Sequence, residues 1–348
     1  MIVDEDLEPL LIRDDATVRE AMNRINATPH IMQLVVNAAG VLVGTVTDGD
    51  VRRGLLNGGD MDARVDSCMR QNPIAAPTVE SAIGRAMELS GRLRCVPVID
   101  ADGKPTKVVG EAELKPAFET AMIMAGGFGK RLGSRTANTP KPLIPVAGQP
   151  ILRHLINDLD ERGVSRVIIA AHYLSEQIRE FVEKLPHRAQ VEILVEESPL
   201  GTAGALSRLP SDVDGTLLVL NGDIITQTDL SAMALHHGYH GCDATVGAAR
   251  HEIEIPFGVI DYDERGSVRS IREKPRYAPY VLAGIYALQP AIYRNLPDTL
   301  PLQMPDLLAH AVEQGYQVGV FPIHEYWLDL GHPSEIELAE RTFPQRED

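Results

Sequence analysis

The first 118 residues carry a pattern twice, and that duplication restricts the fold more than any other feature. Thr17-Val-Arg-Glu-Ala-Met22 recurs as Thr78-Val-Glu-Ser-Ala-Ile83, an offset of 61. Each copy continues as an amphipathic helical stretch, an apolar strand (33–37; 95–99), a glycine turn (Gly40; Gly103), a second strand and a short helix. A unit of about 60 residues with two or three strands cannot bury its own sheet face, whereas two copies packed together can. The expected boundaries are 1–57 and 58–118. The link from Lys115 to Thr120 has no Gly/Ser tract, so the parts on either side are expected to touch rather than swing.

From about residue 120 the texture changes. Apolar strands at 121–125, 167–171, 191–195, 217–220 and 244–249 alternate with helical patterns such as 151–162 and 174–184. This predicts an α/β domain over 120–348 with an open, largely parallel sheet covered on both faces, binding its ligand at the strands' carboxyl ends. The apolar runs reach only five or six residues, too short for a membrane helix. The acidic N-terminus Met1-Ile-Val-Asp-Glu-Asp is not a leader, so the expectation is a cytoplasmic protein with no membrane partner. Three scattered cysteines (Cys68, Cys95, Cys242) argue against a disulfide framework, and a net charge of −16 argues against nucleic acid as a partner.

The first strand of the α/β part runs into Ala125-Gly-Gly-Phe-Gly129-Lys-Arg-Leu132. Dinucleotide spacing would need glycine where Leu132 stands. A P-loop would need glycine at Met124 and a hydroxyl residue at Arg131. What remains is a glycine-rich strand-to-helix turn with free N–H groups. Between Thr120 and Asn157 there is no acidic residue, yet Lys130, Arg131, Arg135, Lys141 and Arg153 all fall there. In so acidic a chain this is a local anion site.

Two resemblances follow from the motifs. In the front part, Gly44-Thr-Val-Thr-Asp-Gly-Asp50 fits the Gly-x-x-Thr/Ser-x-x-Asp signature of CBS domains, and the repeat resembles a tandem pair of them, an α+β module. The resemblance implies an adenine or guanine nucleotide with Thr47 at a phosphate and Asp50 at the ribose hydroxyls. The residues equally allow Thr47 as a helix cap with Asp50 in the first turn. The second copy has Lys107, Gly110 and Glu113 at the equivalent places, so one site at most is intact. A CBS pair also implies a homo-oligomer.

In the second part the glycine loop, Arg131-Leu132 and Thr139-Pro-Lys-Pro-Leu143 are followed by seven more landmarks. These are Gly148-Gln-Pro150, Glu196-Glu-Ser-Pro-Leu-Gly-Thr-Ala-Gly204, Asn221-Gly-Asp223, Pro256-Phe-Gly-Val259, Glu273-Lys-Pro275, Ala283-Gly-Ile-Tyr286 and Trp327-Leu-Asp-Leu-Gly331. Together they resemble the sugar-phosphate nucleotidyltransferases over essentially all of 120–345. The resemblance implies a Rossmann-like, mixed-sheet α/β domain of the GT-A type. It also implies a reaction joining a nucleoside triphosphate to a sugar 1-phosphate with release of pyrophosphate. Its catalytic residues would be Arg131 on the leaving pyrophosphate, Lys141 at the α/β-phosphates, and Asp223. Ala125, Gly126, Gly127, Gly129, Glu196, Pro199, Gly201 and Thr202 would line the nucleotide, and Gly258, Glu273, Lys274 and Gly284 the sugar phosphate. Asp223 and Asp329 suit Mg²⁺, which takes one or two carboxylates plus phosphates and waters.

Glu196 stands where relatives read the base. A carboxylate matches the two adjacent donors of guanine and repels the acceptors of uracil or thymine, so GTP is favoured; Glu197 is the alternative reader. Leu302–Leu307, residues 321–329 and the CBS fusion look most like glucosamine-1-phosphate guanylyltransferases of bacterial legionaminic acid synthesis. Mannose-1-phosphate guanylyltransferases come next, then uridylyl- or thymidylyltransferases. The competing class is a non-catalytic sugar-nucleotide sensor. The cluster His236, His237, His240 and Cys242 is not read as a metal site, because His236 and His237 are expected to end a helix before Gly238, where imidazoles suit the helix dipole.

Overall fold

The repeat offset survives in three dimensions. Helix Val18–Ala27 reappears as Val79–Glu88, and strands Met32–Val36 and Leu42–Thr47 reappear as Cys95–Ile99 and Pro105–Gly110. The computed structural model describes residues 2–27, 32–88, 95–110 and 118–343, without the side chains of Lys130 and Ser134. Glu113, the short helix expected to end the second copy and residues 115–117 of the link therefore lie outside the described residues. By internal contacts the chain divides into two units, Met1–Lys115 and Pro116–Asp348.

In the front unit, strand Leu11–Arg13 lies parallel to Met32–Val36, which pairs antiparallel with Leu42–Thr47, and Arg70–Gln71 closes the far edge. Cys95–Ile99 and Pro105–Gly110 form the core of a second sheet. Its third strand is Ile2–Asp4, so an N-terminal segment that the expected bound of 1–57 grouped with the first copy completes the sheet of the second. Met32 and Leu34 from one sheet meet Val108 and Cys95 from the other, around Leu7 and Leu10. The outer face of each sheet is covered by its own helix: Val18, Ala21, Met22 and Ile25 over Val35 and Val46, and Ala82 and Ala86 over Val96 and Val109. Neither half sheet could bury both faces alone, which is the cause of the duplication.

The second unit is built on seven strands in the order Gln190–Val195, Arg166–Ala171, Thr120–Ala125, Leu217–Asn221, Tyr280–Leu288, Ala244–Arg250, Val318–Ile323. Six are mutually parallel, and Tyr280–Leu288 runs against both neighbours, so the sheet is mixed. Central strands are apolar on both faces because both are covered. Ala121, Ile123 and Ala125 face the layer holding helices Ile151–Glu161 and Ser175–Lys184, and Met122 faces the layer holding helix Met304–Glu313.

Two local expectations are corrected. The glycine turn does not open an α-helix: residues 130–136 form short 3₁₀ turns broken at Gly133 (φ 60°), and Pro140 and Pro142 follow, so the next α-helix begins only at Ile151. Helix Leu230–His240 does not end before Gly238 but runs on to a left-handed Gly241 (φ 60°). His237 is buried there, with Nδ1 2.8 Å from the Thr245 hydroxyl and Nε2 2.8 Å from the Gln289 amide. Among the described residues no helix is long and apolar enough to cross a membrane.

Candidate active site

Four adjacent strands end together: Ala171 pairs with Ala125 and with Val195, and Asn221 with Met124. The loops that leave these ends hold the glycine turn, Glu196 and Asp223, which is why residues far apart in sequence share one edge. Gly222 lets one of these turns pass close to its neighbouring strand. Its N–H donates to the Met124 carbonyl at 2.8 Å, and a Cβ there would sit 2.7 Å from that oxygen. Asp223 follows, and the next residues, Ile224–Thr226, pair antiparallel with Trp327–Asp329. Ile224 lies opposite Asp329, and the Leu330 N–H donates to the Asp223 carbonyl at 2.9 Å. The Trp327 indole N–H donates to Ala283 O at 2.8 Å and ties this ribbon to the Ala283-Gly284 segment.

Lys141 is buried, and its Nζ lies 2.5 Å from Asp223 Oδ2. A residue expected at the phosphates and one expected at the metal are thus held as an ion pair. The Asp329 carboxyl is pushed above the usual carboxylate range, first by desolvation and then by the negative charge of Asp223. Glu335 adds to the rise, while Lys141 and Arg131 oppose it. The same four charges are therefore close enough to act on Asp329. A Cβ placed on Gly331 would meet Asp329 Oδ1 and Glu335 Oε2 at 3.5 Å and Arg131 Nη1 at 3.7 Å. Glu335 escaped the sequence reading. Its position three after the helix cap His332 was the available signal, and its Oε2 accepts the His332 N–H at 2.6 Å.

Asp223 and Asp329 fit a divalent cation. They are hard oxygen donors, one just before strand Ile224–Thr226 and the other at the end of its partner Trp327–Asp329, and their mutual repulsion is what a cation would relieve. Among the described residues no group of three or more His, Cys, Asp or Glu is placed to hold a metal, so phosphates and water would complete the shell.

On the nucleotide side, Gly129 (φ 63°) folds the loop back so tightly that a Cβ would lie 2.6 Å from Thr136 Cγ2. The Thr136 hydroxyl, another residue the sequence did not single out, donates to Gly129 O at 2.9 Å. Glu196 is buried and Glu197 exposed, so Glu196 is the inward carboxylate. Its Oε2 accepts the Leu200 N–H at 2.9 Å, while Oε1 faces Gly126, 3.0 Å from where a Cβ would be. Glycine at 126 thus keeps the space beside that carboxylate open. Gly201 (φ 88°) is packed against Leu302, whose carbonyl would be 2.3 Å from a Cβ, and that carbonyl accepts from the N–H groups of Ala203 and Gly204. Thr202 hydrogen-bonds Gln303 Oε1 at 3.2 Å and the Met304 N–H at 2.8 Å. Ala125 is buried, and Pro199 is exposed.

Of the four sugar-phosphate candidates, Gly258 faces Glu273, whose Oε2 would be 3.1 Å from a Cβ, and Gly284 (φ 71°) abuts the side chain of Asn221, 2.7 Å from a Cβ. Lys274 is exposed and sits at φ 42°, a left-handed backbone that a lysine before proline rarely adopts. In the front unit Thr47 and Asp50 form a capping box: Asp50 Oδ2 accepts the Thr47 N–H at 2.9 Å and its hydroxyl at 2.6 Å, and Thr47 Oγ1 accepts the Asp50 N–H at 3.2 Å. Asp50 also pairs with Arg53.

Comparison with known proteins identifies the family of each part. The nucleotidyl transferase family model matches residues 120–345, and the CBS domain model matches residues 5–57. The mannose-1-phosphate guanylyltransferase catalytic subunit beta of Drosophila pseudoobscura pseudoobscura is 30% identical over 241 residues, 67% of this chain and 63% of that one. The zebrafish (Danio rerio) protein of the same name is 31% identical over 227 residues, 62% of each chain. The bifunctional protein GlmU of Methanococcus maripaludis is 30% identical over 234 residues, 64% of this chain and 54% of that one. The chain therefore spans less than two thirds of the length of these relatives. Among solved structures, HddC from Yersinia pseudotuberculosis superposes with a TM-score of 0.51 at 25% identity, covering 65% of this chain and all of HddC. Its complex with GMP-PN gives the same TM-score at 24% identity. Over residues 120–345 the chain belongs to the nucleotidyl transferase family, with a CBS domain ahead of it.

Proposed function

We propose that the chain is a sugar-1-phosphate guanylyltransferase that converts GTP and a sugar 1-phosphate into a GDP-sugar and pyrophosphate. The observation that carries this reading is the gathering of Arg131, Lys141, Asp223 and Asp329 in one cluster, on the sheet edge that also holds Glu196. A sugar-phosphate oxygen attacks the α-phosphorus in line, the bond to the β-phosphate oxygen breaks, and pyrophosphate leaves with the electron pair. No covalent enzyme intermediate is needed, so the residues act by positioning and charge neutralisation. Lys141 exchanges its bond to Asp223 for the α/β-phosphates, and Arg131 neutralises the leaving group. Asp223 and Asp329 would hold Mg²⁺, which supplies charge to the phosphate oxygens. Glu196 accepts from guanine through Oε1 and the remaining lone pair of Oε2. Glu273 and Lys274 take the sugar phosphate. The guanylyltransferase relatives and the GMP-PN complex of HddC favour guanine as well.

The test is pyrophosphate release across four nucleoside triphosphates and a panel of mannose, glucosamine and glucose 1-phosphates, with and without Mg²⁺. GTP with one sugar is expected to dominate. A chain that binds sugar nucleotides but releases no pyrophosphate from any pair would be a sensor instead. Retention of both aspartates with Lys141 and Arg131 argues against that outcome, since a sensor has no use for the metal pair.

A further inference from the structure

Leu174 stands at φ 53°, a left-handed backbone that a bulky residue adopts only where its surroundings force it. It ends the turn that follows strand Arg166–Ala171, and the residues of that turn reach in two directions. His172 Nδ1 lies 2.8 Å from the Glu196 carbonyl, which makes that nitrogen the proton donor. The Tyr173 hydroxyl donates to Ala137 O at 2.8 Å, and Gln177, one turn into the next helix, donates its amide to Asn138 O at 3.1 Å. Both rings of the turn also pack on Phe128 in the glycine loop: His172 edge-on at 5.5 Å and Tyr173 tilted at 5.6 Å between centroids.

We propose that His172 and Tyr173 are positioning residues for the nucleotide: a strained bracket that holds the phosphate loop, residues 126–138, in register with the base-reading Glu196. This rests on the nucleotidyl-transfer reading given above. Neither side chain need touch substrate. The glycines at 126, 127 and 129 give the loop much backbone freedom, which its own Thr136–Gly129 bond limits only from within. The bracket restricts that freedom from outside through ring contacts on Phe128 and acceptors at 137 and 138. Through Glu196 O it fixes the same turn to the strand end that carries the carboxylate. Triphosphate and base then find their two sets of contacts already spaced, so the ordering cost falls before the nucleotide arrives.

Hydrogen exchange and steady-state kinetics on the full chain test this. In the wild type, GTP with Mg²⁺ is expected to slow amide exchange across 126–138. Tyr173→Phe keeps the ring on Phe128 and loses only the bond to Ala137. It should speed loop exchange in the free protein and raise KM for GTP about tenfold. Its kcat and its KM for the sugar 1-phosphate should stay within about twofold of wild type, a split that general destabilisation would not produce. Gln177→Ala, on an exposed helix face, should act in the same direction if Tyr173→Phe folds poorly. His172→Leu should erode the preference for GTP over UTP, and His172→Asn, whose amide nitrogen takes the place of Nδ1 and can still donate to Glu196 O, should restore it. Loop exchange and KM for GTP equal to wild type in both Tyr173→Phe and Gln177→Ala would overturn the bracket while leaving nucleotidyl transfer intact. Absence of pyrophosphate release from every pair by the wild type overturns the functional reading instead, and the exchange measurements on the free protein still decide the bracket.

Discussion

Asp223 and Asp329 look equivalent in sequence, two aspartates in two motifs, but their surroundings make them respond differently to the loss of charge. Asp223 is the counter-ion of buried Lys141. Asp223→Asn should abolish turnover and also destabilise the chain by about 1–2 kcal/mol, less than for a fully buried pair because Asp223 is partly solvated. Asp329 is crowded by Asp223 and Glu335, and its charged form is disfavoured. Asp329→Asn should therefore abolish turnover with an unchanged or slightly raised melting midpoint. Pyrophosphate release and thermal melts on the two variants separate these outcomes; near-normal turnover in either one would remove it from the metal site. For Glu196→Gln, one charge-assisted acceptor is lost, and the kcat/KM preference for GTP over UTP should fall by about 2–3 kcal/mol, near a hundredfold.

Among elements, the loop 200–204 and the segment 302–304 behave as one piece, because Leu302 O accepts two N–H groups across the gap that Gly201 leaves. Gly201→Ala puts a methyl group into that carbonyl at a positive φ. It should cost about 2–3 kcal/mol in urea unfolding and raise KM for the nucleotide. Helix Leu230–His240 carries a pH dependence of stability. Burial holds the His237 imidazole below its usual pKa, so the folded chain binds fewer protons than the unfolded one just below the ordinary histidine range. Stability contributed by neutral His237 is present above pH about 6.5 and is lost as pH falls, by at most about 1.4 kcal/mol per pH unit. Urea midpoints at pH 7 and 5.5 should differ more in the wild type than in His237→Gln.

At the scale of the molecule, a CBS domain precedes a nucleotidyl transferase domain, and an effector of the first can change the second only by binding two arrangements unequally. Coupling of about 1–3 kcal/mol, roughly five- to 150-fold, would be ordinary. If AMP, ADP or GMP binds at Thr47 and Asp50, it must share a carboxylate that the capping box and Arg53 already engage. The expected outcome is calorimetric binding to the full chain together with a changed rate of pyrophosphate release, both lost in Asp50→Ala. Loss of the cap alone should cost about 1 kcal/mol. Rates unaffected by all three nucleotides in the wild type would leave assembly as the role to test for the front unit, with light scattering reading whether the chain forms a homo-oligomer.

What the sequence determined by itself is whatever one segment can state alone. Period-2 and helical patterning placed the strands at 121–125, 167–171 and 191–195 within a residue or so, since burial is decided residue by residue along an element. The repeat at 61 announced two packed halves, and glycines at 129 and 201 marked turns at positive φ where a Cβ would be crowded. The tertiary structure decided everything that needs a partner from elsewhere. It sent Ile2–Asp4 to the second copy's sheet, reversed Tyr280–Leu288 within a parallel sheet, and paired Lys141 with Asp223. It also turned Glu196 inward rather than Glu197 and added Glu335 and Thr136 to the site. Such choices depend on register between distant strands, and a shift of one residue would exchange the faces of every side chain involved. Local propensity carries no information about that register; only closure of the whole sheet fixes it.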